Sequence, residues 1–158
     1  EDAMTEAPSR ERSPAEHRSH YPHFETVTTR WHDNDVYGHV NNVVYYAYFD
    51  TAVNARLVAH GVLAPEASPV IGLVAETRCR YLSPISFPDR VAVGVRVARI
   101  GRSSVTYELA IFRNDEETAA AVGHFVHVYV DRENRRPAVI PDDVRATLAP
   151  LAQAPDRA

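Results

Sequence analysis

Residues 43–61 read VVYYAYFDTAVNARLVAHG, and this stretch decides the fold of the chain. Its length, its alanine content and its stop at Gly61 predict a helix from about Asn42 to His60. Asn41 or Asn42 is a suitable N-cap for that helix. Because apolar residues occur nearly all round it, we expect the helix to be deeply buried.

Strand patterns lie on both sides of this helix. One strand is predicted before it, at Phe24–Trp31, and four after it, at Val70–Tyr81, Arg90–Ile100, Ser104–Arg113 and Thr118–Asp131. Apolar residues alternate along the last three of these strands: Val91, Val93, Val95, Val97; Val105, Tyr107, Leu109, Ile111; Val122, Val126, Val128, Val130. The short links 101–102 and 114–116 predict that these three strands form an antiparallel meander. A short terminal helix is expected over Pro141–Leu148.

One apolar helix and one antiparallel sheet predict a two-layer α+β domain in which a curved sheet wraps the helix. The chain has 158 residues, which suits one domain. Residues 1–20 are polar and lack an apolar period, so we expect a disordered arm or a tag-derived tail there. The folded domain should cover residues 21–151, and residues 152–158 should form a flexible tail.

Composition excludes several classes of function. The formal net charge of −4 gives no overall basic field, so neither nucleic acid nor an anionic membrane is an expected partner. No apolar run approaches the roughly 20 residues that a membrane span needs. The polar N-terminal stretch does not resemble a signal peptide. Cys79 is the one cysteine and cannot form an intrachain disulfide, so a cytoplasmic location is expected.

The segment Arg30–Tyr45, which reads RWHDNDVYGHVNNVVY, contains Asp-x-Asp, then Gly-His-Val-Asn-Asn, then a Tyr that enters the helix. It resembles the active-site segment of the hotdog-fold thioesterases of the 4-hydroxybenzoyl-CoA thioesterase type. The resemblance spans about residues 24–148. It implies the hotdog fold, in which a sheet wraps a central helix, and hydrolysis of acyl- or aroyl-CoA to free acid and CoA.

The chemistry of the segment fits this resemblance. Hydrolysis of a thioester needs a group that attacks or delivers water, and donors for the developing oxyanion. The first turn of a helix has unpaired N–H groups at its positive end, and here they belong to Asn42 and its neighbours. Asp35 lies seven residues earlier, in a turn that Gly38 can tighten. The resemblance makes Asp35 the catalytic carboxylate, as nucleophile or general base, and the Asn42 amide the group that polarises the carbonyl.

Further substrate contacts are expected at two places. Tyr37, Gly38, His39 and Tyr45 lie nearest the proposed carbonyl site, and the two tyrosines are expected to line an acyl pocket. In the resembling family a basic, hydroxyl-bearing hairpin contacts the phosphates of coenzyme A, which implies that role for Arg102, Ser103 and Ser104. The alternative is an exposed hairpin with a solvated charge. No other cofactor is expected, because coenzyme A is part of the substrate.

Other polar residues near the segment have simpler interpretations. Asp33 is expected to be structural, paired with Arg30 or a backbone amide. Asp50 is a second candidate carboxylate, eight residues and about 12 Å beyond Asn42 along the helix. The spacing of His32, Asp33, Asp35 and His39 matches no zinc pattern, so no metal is expected. Cys79 is interpreted as a packing residue.

The unpaired edges of such a sheet predict a homo-oligomer, since pairing two sheets covers edges. We expect at least a dimer and favour a tetramer. Two alternative functions stay open. One is a hotdog hydratase or dehydratase, although its usual Asn-x-x-His signature is not seen. The other is a non-catalytic acyl-CoA-binding or regulatory module, which has little use for Asp35.

Overall fold

A computed structural model of the protein describes residues 16–152. Five strands and two α-helices make up the fold: β1 (His23–Thr28), α1 (Val44–Ala59), β2 (Val70–Tyr81), β3 (Arg90–Ile100), β4 (Ser104–Arg113), β5 (Ala121–Asp131) and α2 (Asp142–Leu148). Among these residues no helix is both long and apolar enough to span a bilayer.

The five strands form one sheet in the order β1-β3-β4-β5-β2, and every neighbouring pair is antiparallel. The β3-β4-β5 meander predicted from the short turns is therefore confirmed. α1 packs on one face of the sheet, which confirms the α+β class. The arrangement is consistent with the hotdog fold that the resemblance implies.

The predicted alternation on β3 and β4 forms the core against α1. Their inward residues are all buried with the helix in one cluster: Val91, Val93, Val95, Val97, Val105, Tyr107, Leu109 and Ile111. From the helix, the Phe49 ring packs directly on β5, where a Cβ atom on Gly123 would lie 2.5 Å from it. On β5 the residues in this core include Ala121, Phe125 and Tyr129, whereas Val122 packs in a second, smaller cluster.

The predicted helix differs from α1 in two respects. It begins at Val44 with Val43 as its N-cap, so neither Asn41 nor Asn42 holds the N-cap position. Asn41 instead makes an Asx turn, in which its Oδ1 accepts the Val43 N–H at 3.0 Å. The helix is also not buried all round, because one sheet covers one side only. Its opposite side is exposed at Val43, Ala47, Asp50, Thr51 and Val58.

The expected disordered arm is wrong for its last five residues. Arg18–His20 form a 3-10 helix, and the Arg18 guanidinium donates to the carbonyl oxygens of Asn114 and Glu116 at 2.6 and 2.8 Å. Glu16 pairs with Arg96 of β3. Residues 16–20 lack an apolar period, and these polar contacts hold them against the rest of the domain instead. The rest of the arm, residues 1–15, and the tail from residue 153 lie outside the described residues.

Candidate active site

The loop before α1 folds back on itself as a small hairpin. The Asn41 N–H donates to the Asp33 carbonyl at 2.8 Å, and the Asp35 N–H donates to the His39 carbonyl at 2.9 Å. Gly38 closes the turn with φ +83°, a left-handed conformation that glycine adopts without strain. The chain therefore returns toward the helix, with Asp35 at the outer end of the hairpin.

A second loop, residues 82–89, holds this hairpin in place. The Ser86 hydroxyl donates to the Gly38 carbonyl at 2.7 Å. The Phe87 N–H donates to Asn34 Oδ1 at 3.0 Å, and the Val40 N–H donates to the Ile85 carbonyl at 2.7 Å. Because backbone groups are paired on both sides, the hairpin is positioned by the fold rather than by its own turn alone.

A cavity of about 290 Å³ lies at the N-terminus of α1. The Tyr45 and Tyr81 rings meet edge to face in it, with centroids 4.9 Å apart. The Tyr81 hydroxyl donates to the Asn42 carbonyl at 2.7 Å and so ties the end of β2 to the start of the helix. The lining residues are His39, Val40, Asn42, Tyr45, Tyr81, Leu82, Ser83 and Pro84.

Asn42 is the residue at which this cavity meets the helix end. Its carbonyl accepts the Tyr81 hydroxyl, but within residues 16–152 no group accepts its N–H. The N–H lies at the positive end of the α1 dipole, where negative charge is favoured. An oxygen that gains negative charge in the cavity would find a donor there.

Asp33 is structural, as the sequence predicts. Only 1% of it is exposed, and its carboxylate accepts hydrogen bonds from the Arg30 N–H at 2.8 Å and the Tyr48 hydroxyl at 2.9 Å. The Arg30 guanidinium also pairs with it at 3.0 Å. Burial raises the pKa of Asp33, but the hydrogen bonds and the charge of Arg30 lower it by more. The pKa of Asp33 therefore lies below its ordinary value. This carboxylate is fully used within the fold.

Asp35 differs from Asp33 in its surroundings. It is half-buried, and its Oδ1 accepts the Tyr37 N–H at 2.9 Å in an Asx turn. Among residues 16–152 no arginine, lysine or histidine forms an ion pair with it. It does not line the cavity at Asn42. The hairpin pairing leaves it two residues, about 7 Å, beyond the level of Asn41.

The structure places only two of the four predicted substrate-binding residues at the cavity. His39 and Tyr45 line the cavity, whereas Gly38 lies in the turn and Tyr37 projects outward with 85% of its surface exposed. Asp50 lies on the exposed side of α1, where partial desolvation raises its pKa.

Two further expectations concern the chemistry of the site. Cys79 packs against the main core, and burial raises the pKa of its thiol to about 11, so the thiol stays protonated and is a poor nucleophile. Within residues 16–152 no three His, Cys, Asp or Glu side chains form a group that could hold a metal ion.

The basic hairpin lies at the other end of the sheet. Ser104 pairs with Val128, while Ile111, seven residues further along β4, lies in line with Ala121 and Tyr81. Seven residues of strand span about 24 Å. Within one chain, Arg102, Ser103 and Ser104 are therefore not brought next to Asn42.

Sequence reasoning missed Tyr81, Leu82 and Ser83, which supply one wall of the cavity. They follow the end of β2, some 40 residues after Asn42 in the chain. The β2–β5 register, which pairs Tyr81 with Ala121, places them beside the helix. The only local signal was the Ser-Pro turn at residues 83–84, where the predicted strand ends.

Comparison with known proteins shows which sequences and folds the chain resembles. The sequence profile of the Thioesterase-like superfamily matches residues 29–148. The crystal structure of the PA5185 protein of Pseudomonas aeruginosa strain PAO1 is similar, with 52% identity, a TM-score of 0.86, and coverage of 89% of this chain and 98% of that one. The PA2801 protein of Pseudomonas aeruginosa has 31% identity and a TM-score of 0.73, covering 78% of this chain and 95% of that one.

A DHNA-CoA thioesterase from Staphylococcus aureus has the same fold, with a TM-score of 0.71 over 80% of this chain and 87% of that one. Its identity to this chain is 19%, so the likeness concerns the fold alone.

Proposed function

The chain belongs to the thioesterase-like superfamily, and from this premise we propose that it is an acyl-CoA thioesterase. It would hydrolyse an acyl- or aroyl-CoA to the free acid and CoA. The observation that carries the proposal is that the Asn42 N–H has no acceptor among the described residues, while Asn42 itself lines a cavity at the positive end of α1. This is a site for the oxygen of a thioester carbonyl as it becomes negative.

Asp35 is the carboxylate that this proposal uses. Asp33 is bonded on both oxygens, so it has no capacity left for chemistry. Asp35 keeps one oxygen for which no described residue is a hydrogen-bond donor. The proposal requires the hairpin tip, which is exposed at Val36 and Tyr37, to carry that oxygen about 7 Å toward the cavity.

Two routes lead from Asp35 to the same products. In one, the carboxylate attacks the carbonyl carbon, the C–S bond breaks, the CoA thiolate takes up a proton, and water hydrolyses the resulting anhydride. In the other, Asp35 takes a proton from water, the hydroxide adds to the carbonyl carbon, and the C–S bond breaks with the same fate for the thiolate. After a single turnover in ¹⁸O-water, ¹⁸O in the Asp35 carboxylate establishes the first route, because it arises only when water attacks the Asp35 carbonyl carbon of the anhydride. Water attack on the acyl carbon of the anhydride and the second route both place ¹⁸O in the acid alone, so trapping of the anhydride with hydroxylamine is the test in that case.

The test of the function is a hydrolysis assay that detects free thiol over a panel of acyl-CoA chain lengths and aroyl-CoAs. Asp35→Asn should abolish hydrolysis and leave CoA binding intact, since an amide oxygen can still accept the Tyr37 N–H and preserve the turn. Asp115→Asn is the matched control, because its side chain is 96% exposed at the β4–β5 turn. Hydrolysis at the wild-type rate in Asp35→Asn contradicts the role of Asp35.

The role of the Asn42 backbone needs its own pair of variants. Asn42→Ala keeps the N–H and should retain most activity. Asn42→Pro removes the N–H ahead of the helix, outside the hydrogen bonds of α1, and should lower kcat by about 10²- to 10³-fold. Circular dichroism checks that both variants fold. Equal activities in the two folded variants would exclude the amide as the carbonyl donor.

One observation favours a second candidate, a non-catalytic acyl-CoA-binding module. The Asx turn at Asp35 explains this carboxylate as a structural residue. Such a module keeps the cavity and the basic hairpin without needing a carboxylate in the site. Binding of acyl-CoA by the wild type with no hydrolysis of any panel member would establish this candidate.

We also propose that Arg102, with Ser103 and Ser104, contacts the phosphates of coenzyme A in the site of a second chain. Within one chain the hairpin is too far from Asn42. The Arg102 side chain is exposed, and among the described residues no acidic group pairs with it. Arg102→Ala should raise KM for acyl-CoA but not for the same acyl-pantetheine, which lacks the nucleotide phosphates. Arg90→Ala is the matched control.

A further inference from the structure

β2 forms one edge of the sheet, and its helix side is left uncovered beside the cavity at Asn42. It pairs with β5 alone among the described strands. Val74 pairs with His127 and Thr77 pairs with Phe125, so both face the same side of the sheet as α1. Both are nevertheless exposed, Val74 to 48%. An apolar side chain therefore faces solvent on the side of the sheet that elsewhere forms the core.

A β-bulge determines which residues of β2 share a face. The register against β5 shifts between Val74 and Glu76, so Ala75 is an extra residue in the strand. The residues on the helix side are Gly72, Val74, Thr77, Cys79 and Tyr81, and those on the opposite side are Leu73, Glu76, Arg78 and Arg80.

The charges of β2 distinguish the registers in which two copies of this strand could pair. A two-fold axis makes the strands antiparallel and puts one residue of β2 on the axis. With Glu76 or Arg78 there, that residue opposes its own copy; with Cys79 there, Arg78 opposes the partner's Arg80. Thr77 on the axis instead puts Glu76 opposite the partner's Arg78, twice. Opposite charges across a strand pair are favourable and like charges are unfavourable, so the charge pattern selects Thr77.

This register brings the partner's strand to the cavity. Counted past the bulge, the partner's Val74 lies opposite Cys79, and the partner's Gly72 lies opposite Tyr81. Diagonal neighbours across a strand pair are about 7–8 Å apart, which puts the partner's Val74 within reach of the Tyr81 ring. That ring forms one wall of the cavity at Asn42 and is 44% exposed in one chain.

We propose that a second copy of this chain completes the acyl pocket by pairing along β2 about an axis at Thr77 and adding its Val74 to the pocket wall. The proposal rests on the proposed thioesterase function for the identity of the ligand, whereas the strand pairing does not depend on hydrolysis. Each chain supplies Asn42 and Tyr81 to its own site and Val74 to the site of its partner, because a two-fold interface is reciprocal.

The completed wall restricts the acyl group. None of the residues lining the cavity is a lysine or an arginine, and the partner's Val74 adds apolar surface. A second carboxylate on the acyl group would lose its hydration there without a counter-charge. The substrate class is therefore an uncharged acyl group rather than a dicarboxylic one, and hydrolysis of butyryl-CoA should exceed that of succinyl-CoA.

Oxidative cross-linking tests the register without reference to activity. Val74→Cys should form a disulfide with the partner's Cys79, and Val74→Cys with Cys79→Ala should form none. In the Cys79→Ala background, Thr77→Cys should cross-link to its own copy, since directly opposed residues have nearly the Cβ separation that a disulfide spans. Arg78→Cys is the matched control, because its two copies lie about 7 Å apart along the strands. Cross-linking at Arg78→Cys but not at Thr77→Cys would overturn the register.

Charge reversal tests the two cross-strand pairs. Glu76→Arg and Arg78→Glu should each raise the dissociation constant of the dimer by roughly two- to thirtyfold, and the double variant should restore it. The two groups already lie 3.6 Å apart within one chain, so a monomer stability measurement accompanies each variant. Asp115→Arg, at an exposed turn, is the control. Equal dissociation constants in all of these variants would contradict the pairing.

Mixed dimers test whether Val74 acts on the partner's site. Asp35→Asn and Val74→Trp should each be inactive alone, the second because the indole fills the pocket. A mixed sample should regain about a quarter of the wild-type activity, since half of the dimers are mixed and each has one intact site. No regain in a sample shown to contain mixed dimers, or full activity of Val74→Trp, would overturn the role of Val74. A wild type that cross-links as expected but hydrolyses no acyl-CoA would contradict the proposed function and the pocket assignment, and leave the strand pairing standing.

Discussion

The hydroxyl of Tyr81 donates a hydrogen bond of 2.7 Å to the backbone carbonyl of Asn42. This bond joins the last residue of β2 to Asn42, which lines the cavity at the start of α1. The carbonyl and the N–H of Asn42 belong to two adjoining rigid peptide units that meet at its Cα atom. A contact that fixes the Asn42 carbonyl therefore also limits how the adjoining backbone can turn.

Tyr81→Phe tests this link, and Tyr81 is a positioning residue in the proposed reaction. Loss of one hydrogen bond is worth about 0.5–1.5 kcal/mol, so kcat should fall by about two- to tenfold. KM should change little, because the ring stays in the cavity wall. Steady-state kinetics on the best panel substrate gives the split, and Tyr21→Phe, a tyrosine that packs on Phe112, is the matched control. A rise in KM at constant kcat would assign Tyr81 to substrate binding instead.

Asp33 predicts a pH dependence of stability. Its folded pKa lies below the ordinary value of 3.8, so its contribution is present above pH 3.8 and is lost as the pH falls through the folded pKa. Asp33→Asn should lower the free energy of unfolding at pH 7 by about 2–3 kcal/mol, the worth of a hydrogen bond to a charged group. Urea unfolding between pH 7 and pH 3 should show a flatter profile for the variant. A wild-type profile that stays flat below pH 4 would contradict this assignment.

Much of the fold could be predicted because it depends on local patterns. The period-two valines of β3 and the short turn at residues 101–102 define strands and their pairing without reference to distant residues. The burial of α1 was overestimated because it, too, was judged from a local pattern. Apolar residues such as Val43 and Val58 count toward a helix pattern, but how much of a helix a sheet covers depends on the width of the sheet.

The sequence predicts one of the two walls of the cavity at Asn42. Its helix side, with Asn42, His39 and Tyr45, follows from one continuous segment. Its other wall at Tyr81 depends on the long-range register of β2 against β5, which includes an irregularity between Val74 and Glu76. A shift of one residue would turn Tyr81 to the other face of the sheet, and no local pattern specifies that register.

A side chain at position 123 is predicted to disturb the packing of Phe49, and a smaller residue at position 49 is predicted to relieve this disturbance. Its missing side chain leaves room for the Phe49 ring, since a Cβ would lie 2.5 Å from two ring carbons. Gly123→Ala should destabilise the fold by about 1–3 kcal/mol through overpacking. Phe49→Leu in the same chain should recover part of that loss, because the flat ring is gone. Urea unfolding of the two single variants and the double variant measures the coupling, and strictly additive losses would show that the two positions do not interact.

The edge strand β2 predicts the mode of association. It has 12 residues, pairs with β5 alone among the described strands, and is exposed along most of its length, including Leu73 and Val74. A long unpaired edge of this kind is a template for another strand. We expect sedimentation to give a mass at least twice that of one chain. Leu73→Lys with Val74→Lys should shift it toward the monomer, whereas Val139→Lys, at a position 51% exposed outside the sheet, should not. A monomeric wild type, or an edge variant with unchanged mass, would rule out pairing through β2.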